Sequence, residues 1–361
     1  MPSDLFAGTY ARGPASRALD GQTWLDAMLE VESALAWACA EQGEITREAA
    51  EAVARACATA RQGGIELEPL SAAAAEQLTP VVALVERLRE LVGPEHAAAV
   101  HAGATSQDVI DSAAMLVARE ALRATCADAR RASLAAASLA ERHGGVTMLG
   151  RTLLQPALPL SFAAKAESWR RMLDAALSPL EPLAAGGLPV QMGGPVGLRP
   201  PAVGARVAKL LGLADPGAAW HTNRVPVAQL AAALGVLAGA LGKLARDVTL
   251  LAQAEVGELQ EGGEGRGRSS AMAGKRNPVA AVSVLACSRR APGLVCTMLA
   301  AMEQEHERAA GAWQSEWGTL SQLLALTGSA AAWSADLLEN LRLDPARMAH
   351  NATLHGASPR S

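Results

Sequence analysis

The sequence predicts an all-α protein built as a bundle of long helices, and three observations carry that prediction. From about 106 to 142 the chain has neither proline nor glycine, enough for a helix roughly 50 Å long. Two stretches place mostly apolar residues at alternating spacings of three and four, the signature of a heptad seam. Finally, half of the 361 residues are hydrophobic but only 3% are aromatic, and alanine and leucine dominate. That composition suits helices with small side chains in close contact, and no alternating strand pattern of any length competes.

In chain order, Gly21 to Gln42 reads as an amphipathic helix carrying Trp24, Met28, Val31, Leu35 and Trp37. A second helix runs from about 46 to 61 and ends at Gly63-Gly64. A third runs from about 70 to 91, and Gly93-Pro94 closes the region. Gly144-Gly145 stops the long 106–142 helix, and Pro156 and Pro159 stand at the start of a helix reaching about 177. Residues 186–204 form a loop rich in glycine and proline, followed by a short helix over 202–211. The first seam, within 226–256, joins Val227, Leu230, Leu234, Leu237, Leu241, Leu244, Val248 and Leu251. Gly235, Gly239 and Gly242 would each cost about 1 kcal/mol relative to alanine in an isolated helix, so close approach of a neighbour is their expected reason. The second seam joins Trp313, Trp317, Leu320, Leu324, Thr327, Ala331, Ser334, Leu338 and Leu341. Two exposed seams on helices this long predict a homo-oligomer with helices from several subunits in its central bundle.

Composition also narrows the function. Net charge is −4 and no basic face stands out, so nucleic acid is not an expected partner. Cys39, Cys57, Cys126, Cys287 and Cys296 are odd in number, scattered and without metal-ligand spacing. They read as reduced, buried thiols of a cytoplasmic protein, and no metal site is expected. The opening Met-Pro-Ser-Asp-Leu-Phe-Ala-Gly has neither the basic start nor the apolar core of a signal peptide. The most apolar window, 228–242, meets Lys243, Arg246 and Asp247 too soon to span a bilayer, so no membrane partner is expected.

Three polar islands interrupt the helical sequence. His101-Ala-Gly-Ala-Thr-Ser-Gln-Asp-Val-Ile-Asp sits where a loop enters the long helix. Thr105 and Ser106 are natural N-cap residues, and Asp108 and Asp111 fall in the first turn, where the helix dipole favours negative charge. The same hydroxyl and N–H groups also suit a carboxylate ligand. Gly150-Arg-Thr-Leu-Leu-Gln-Pro again offers hydroxyl and amide groups ahead of an expected helix start. Gly262 to Pro278 is a glycine-rich stretch that delivers Ser269, Ser270, Lys275 and Asn277, and a flexible loop between helices can close over a ligand. Its spacing is not that of a nucleotide-binding P-loop.

In this order and at these separations, the islands resemble those of the fumarase/aspartase superfamily, over nearly the whole chain. Ser269-Ser-Ala-Met-Ala-Gly-Lys-Arg-Asn-Pro278 follows most of the superfamily's Gly-Ser-Ser-x-Met-Pro-x-Lys-x-Asn-Pro loop. Thr105-Ser-Gln-Asp-Val-Ile-Asp, Glu305-His-Glu-Arg-Ala-Ala-Gly-Ala-Trp-Gln-Ser-Glu-Trp317 and Trp24-Leu-Asp-Ala-Met-Leu-Glu-Val-Glu-Ser-Ala-Leu are similar to its carboxymuconate cycloisomerase branch. The resemblance implies an N-terminal helical domain over 1–95, a central long-helix bundle over 96–345, and a remnant of a C-terminal domain, shortened or absent, over 346–361. It further implies a homotetramer in which three subunits contribute one island each to every active site.

The implied chemistry is proton transfer beside a carboxylate without any cofactor. The substrate is a di- or tricarboxylate, and the branch implies lactone formation from 3-carboxy-cis,cis-muconate. The alternatives are β-elimination releasing fumarate from a substituted succinate and a non-catalytic scaffold. By position Ser269 is the acid/base at the α carbon. A serine hydroxyl needs a nearby cation and oriented donors to do this, and Lys275 is the expected cation. Asn277, Thr105, Ser106, Thr152 and Gln155 are expected to bind substrate carboxylates, and His221 and Arg224, in Trp220-His-Thr-Asn-Arg, match a further block of the family. His101 either orients its loop or contacts substrate, and His221 either binds substrate or satisfies its own loop. Arg308 either meets a carboxylate or pairs with Glu305 or Glu307, with Arg276 as a further cation. The sequence departs from the pattern at Arg268, in place of a glycine, at Ala273 and Gly274, in place of Pro-x, and at Val225, in place of an acidic residue. Leu153 stands where many relatives carry a catalytic histidine, so no imidazole can act there.

Overall fold

The computed structural model describes residues 5–263, 266–272 and 274–354. The N-terminal part packs α1 (Gly21–Glu41) on α2 (Arg47–Thr59), followed by α3 (Leu67–Gln77) and α4 (Val81–Val92). Asp20 and Thr46 cap the first two by accepting backbone N–H groups from Thr23 and Ala49. The single helix expected over 70–91 is two. Leu78 turns left-handed at φ 59° and Pro80 lacks the N–H that a continuous helix needs.

The bundle starts with α5, Ser106–Arg142, whose 37 residues match the predicted uninterrupted stretch. The next element differs from expectation. Pro156 and Pro159 do not open a helix but lie in β2 (Gln155–Ser161), which pairs antiparallel with β1 (Thr147–Thr152). A free-standing two-stranded ribbon is all edge, so prolines are tolerated there. Helix α6 starts only at Phe162 and ends at Leu177, with Ser161 as its cap. After the loop and α7 (Pro201–Leu211) come α8 (Val225–Leu251), β3 (Leu259–Glu261), α9 (Val279–Ala300), α10 (Ala312–Glu339), β4 (Leu341–Leu343) and α11 (Pro345–Leu354). Strand β3 pairs antiparallel with β4.

Both predicted seams form, but they face inward. All eight seam residues of α8 are buried, and so is every member of the second seam except the half-buried Trp317. The seams therefore make the core of one chain, and they do not carry the argument for an oligomer. Helices α5 and α10 run side by side in one direction: Trp313 donates to Asp111 near one end, and Arg131 pairs with Glu339 near the other. Helix α9 runs antiparallel to α8, with Val295 against Gly235 and Ser288 against Gly242. Nothing lies within 4 Å of a side chain built at Gly239, so close approach accounts for two of the three glycines.

By length and composition α8 and α9 could each cross a membrane, with window hydropathies of 1.8 and 1.3. The apolar stretch of α8 begins at Val225 and is longer than the 228–242 window. Its hydropathy follows from its place in the core, since most of its apolar side chains are buried in the bundle. All five cysteines are free. Four are buried as expected, whereas Cys296 is exposed on α9.

Candidate active site

The first island lies at the start of α5. Thr105 is the N-cap and forms a capping box with Asp108, whose carboxylate accepts the Thr105 N–H at 3.0 Å. Ser106 is partly exposed, and its hydroxyl has no partner among the described residues. Asp108 does far more than cap. It is fully buried and also accepts N–H groups from Gly193 at 2.7 Å and Gly194 at 2.8 Å, while His221 Nε2 lies 2.8 Å away. His221 is thereby a buried strut holding the 190–199 loop, with its carboxylate partner in its own chain.

Arg224 is likewise sequestered. Its guanidinium donates to Asp111 at 2.7 and 3.1 Å and to Glu316 at 2.5 and 3.0 Å, and all three residues are buried. Burial works against the charge of Arg224, but the two carboxylates outweigh it and push its pKa upward. Burial pushes Glu316 above the usual carboxylate range, opposed by Arg224. Arg308 differs. It pairs with neither Glu305 nor Glu307 but donates to Gln107 Oε1 at 3.1 Å and to the Pro195 carbonyl at 2.8 Å. With neutral acceptors only, its charge is uncompensated among the described residues and can meet an anion. His101 sits at φ 61°, with Nδ1 2.6 Å from Glu32 Oε1. Burial alone would lower its pKa, but the hydrogen bond and charge of Glu32 raise it overall.

The second island is the β1–β2 hairpin. Thr152 and Gln155 are cross-strand partners flanking the two-residue turn Leu153-Leu154. Both leucines have positive φ, 50° and 64°, a conformation that favours glycine or asparagine in such turns. They are 96% and 72% exposed. Thr152 and both leucines line a cavity of about 770 Å³ that extends to Lys165 and Asp247. Arg151 anchors the hairpin through buried Glu258, with bonds of 2.6 and 3.1 Å.

The third island is the serine loop. Its neck closes where the Asn277 N–H donates to the Gly267 carbonyl at 2.8 Å. Ser269 Oγ accepts backbone N–H groups from Ala271 at 3.3 Å and Met272 at 3.1 Å. Lys275 is exposed and has no side-chain partner among the described residues. No hydrogen bond joins Lys275 to Ser269, so the loop carries both groups without coupling them. Ala273, one of the departures from the family loop, lies outside the described residues.

The first two islands do not meet within one chain. Islands one and two stand at opposite ends of α5, roughly 55 Å apart at 1.5 Å per residue. What the sequence reading missed is the buried polar cluster under island one. Asp108, Asp111 and Glu316 serve as ligands for Arg224, His221 and backbone N–H groups, not merely as first-turn acids. The signal was present: Asp108 and Asp111 are three apart on one helix face. Among the described residues no cluster of side chains could hold a metal ion.

The profile of the family described as "Lyase" matches residues 10–293. A 3-carboxy-cis,cis-muconate cycloisomerase of Bradyrhizobium diazoefficiens is 42% identical, covering 97% of this chain and 79% of that protein. The chain belongs to the fumarase/aspartase lyase superfamily. Other members are close to it. A nitrosuccinate lyase of Streptomyces davaonensis is 39% identical over 99% of this chain and 78% of its own length. The crystal structure of 3-carboxy-cis,cis-muconate lactonizing enzyme from Pseudomonas putida superposes with a TM-score of 0.90 at 34% identity, covering 98% of this chain and 80% of that one. The fold is thus that of this superfamily of enzymes.

Proposed function

We propose that the protein is a cofactor-independent cycloisomerase that converts 3-carboxy-cis,cis-muconate to its γ-lactone. The observation that carries the reading is the serine loop: a hydroxyl polarised by two backbone donors, on the same short loop as an ammonium group with no carboxylate partner among the described residues. In the reaction a carboxylate oxygen of the substrate attacks a double bond. One C–O bond forms, the π pair moves to the α carbon, and a single proton is delivered there. No electrons are gained or lost, so no redox cofactor is required. Ser269 delivers the proton. The N–H groups of Ala271 and Met272 stabilise the charge left on its oxygen, and the Lys275 ammonium joins them once the loop closes over substrate. Asn277, Thr152, Gln155, Thr105, Ser106 and Arg308 hold the carboxylates. Arg224 and His221 act from beneath, by fixing the loop and helix end that present them.

In this reading the active form is a homotetramer whose sites combine the three islands from different copies. The separation of the first two islands along α5 supports their coming from different copies. We also divide the chain at about 95 and 345, the first point lying just past Gly93, where α4 ends at positive φ. Five free cysteines fit a reducing, cytoplasmic setting.

Ser269→Ala should lower the turnover of carboxymuconate about 10²- to 10⁴-fold with an unchanged melting temperature. A variant that keeps its rate removes Ser269 from the mechanism. The second reading, β-elimination from nitrosuccinate, is favoured by the similarity to the Streptomyces enzyme. Assays of lactone formation against fumarate release decide between them, and fumarate alone from the native protein overturns the cycloisomerase reading.

A further inference from the structure

The neck of the serine loop borders a second cavity, of about 540 Å³, that neither Ser269 nor Lys275 lines. Its walls carry Arg266, Arg268, Arg276 and Arg342, and its one carboxylate among the described residues is Glu261. That carboxylate is committed: it accepts the N–H groups of Ala280 at 2.9 Å and Ala281 at 2.8 Å, where α9 begins. Arg266 is committed as well, to Asp336 at 2.7 Å and to the face of Trp333. Arg268, Arg276 and Arg342 have no carboxylate within ion-pair distance among the described residues.

The arrangement of these three is unfavourable as it stands. Arg268 and Arg276 are direct partners in an antiparallel bridge across the neck, so two like charges face each other where the loop closes. Like charges in that relation weaken strand pairing. Arg342 adds a third positive charge from β4, a separate element. Several guanidinium groups lining one cavity can bind an oxyanion with two or more charges. An anion between them would turn the repulsion across the neck into two attractions and hold the Asn277–Gly267 hydrogen bond shut.

We propose that Arg268, Arg276 and Arg342 form a site for a small multivalent oxyanion, a phosphate or a polycarboxylate, that clamps the neck of the serine loop. The site does not depend on which reaction the protein catalyses, and its test reads binding and loop order, not turnover. Inorganic phosphate and citrate are titrated separately into the full chain by calorimetry, with sodium chloride at matched ionic strength as the control. The expected result is saturable binding of at least one of the two, a rise in melting temperature that chloride does not reproduce, and slower hydrogen exchange at the Asn277 amide. Which anion binds more tightly separates the phosphate source from the polycarboxylate source. Arg342→Gln, far from the loop in sequence, should weaken binding roughly tenfold, the scale of one charge-assisted hydrogen bond, and Arg342→Lys by less. Equal effects of chloride, or unchanged affinity in both Arg342→Gln and Arg276→Gln, overturn the proposal. Glu264, outside the described residues, supplies a further arm. Binding seen only in Glu264→Gln would mean that the chain's own carboxylate fills the cavity, which also overturns it.

Discussion

Arg224 and Arg308 show how differently two arginines beside the same helix end can behave. Arg224 is buried between two carboxylates, Asp111 and Glu316, and removing it leaves both unpaired in a low-dielectric interior. Breaking a buried ion cluster on one side costs about 3–5 kcal/mol. Arg224→Met should therefore lower the unfolding free energy by that amount in urea titrations. A loss below 1 kcal/mol would show that the cluster is solvated. His101 makes a pH-dependent contribution at the same end. Its folded pKa lies above the ordinary histidine value because Glu32 stabilises the imidazolium against the opposing effect of burial. That stabilisation is fully present below about pH 6.5, the unfolded value, and is lost as pH rises through the higher folded value. Unfolding free energy should thus fall as pH rises above about 6.5, the ordinary histidine value, and His101→Gln should flatten the slope. An equal slope in the variant would assign the pH dependence to other groups.

At the scale of elements, α8 and α9 meet through glycines. A side chain at Gly242 would stand 2.5 Å from Ser288 Oγ and 2.9 Å from its Cβ, so the two helices approach as closely as they do because no Cβ intervenes. Overpacking of this kind costs about 1–3 kcal/mol. Gly242→Ala should lower the melting temperature despite alanine's better helix propensity, and a rise would mean that the helices separate without penalty. The β1–β2 hairpin presents the opposite situation. Two leucines at positive φ, both exposed, are held in an unfavourable turn by strands that Arg151 ties to Glu258. Strained backbone of this sort persists where the surroundings over-determine it and is common at functional sites. Within the proposed assembly, the tip carries Thr152 and Gln155 to a neighbouring copy.

For the whole molecule the deciding quantity is the length of α5. A helix of 37 residues keeps the groups at its start from ever meeting the hairpin beyond its end. Sites shared between copies make a specific forecast. Ser269→Ala and Thr152→Ala should each be nearly inactive alone, yet mixed, unfolded together and refolded they should recover a fraction of native turnover. Hybrid assemblies then contain some sites in which both islands are intact. Absence of recovery, with the hybrids present by native mass spectrometry, would place all the groups of a site in one chain.

The helical bundle was legible in the sequence because its determinants are local and periodic: the uninterrupted stretch to Arg142, the two seams, and caps such as Asp20 and Thr46. The family loop around Ser269, Lys275 and Asn277 was legible for a related reason, since residue type and spacing carry it. The direction in which each seam faces was not. Periodicity marks an apolar stripe, but only packing decides that α8 and α10 bury theirs inside one chain and not against another. Nor could spacing separate a proline-led helix from a proline-bearing hairpin at Pro156, or reveal that Arg224 and His221 are consumed by Asp111, Glu316 and Asp108. Those partners lie up to 113 residues away in the chain and meet only when the bundle closes. Tertiary structure alone decided which charges are neutralised and which, like Arg308 and Lys275, meet no carboxylate among the described residues, because an ion pair depends on distance in space, where sequence records only distance along the chain.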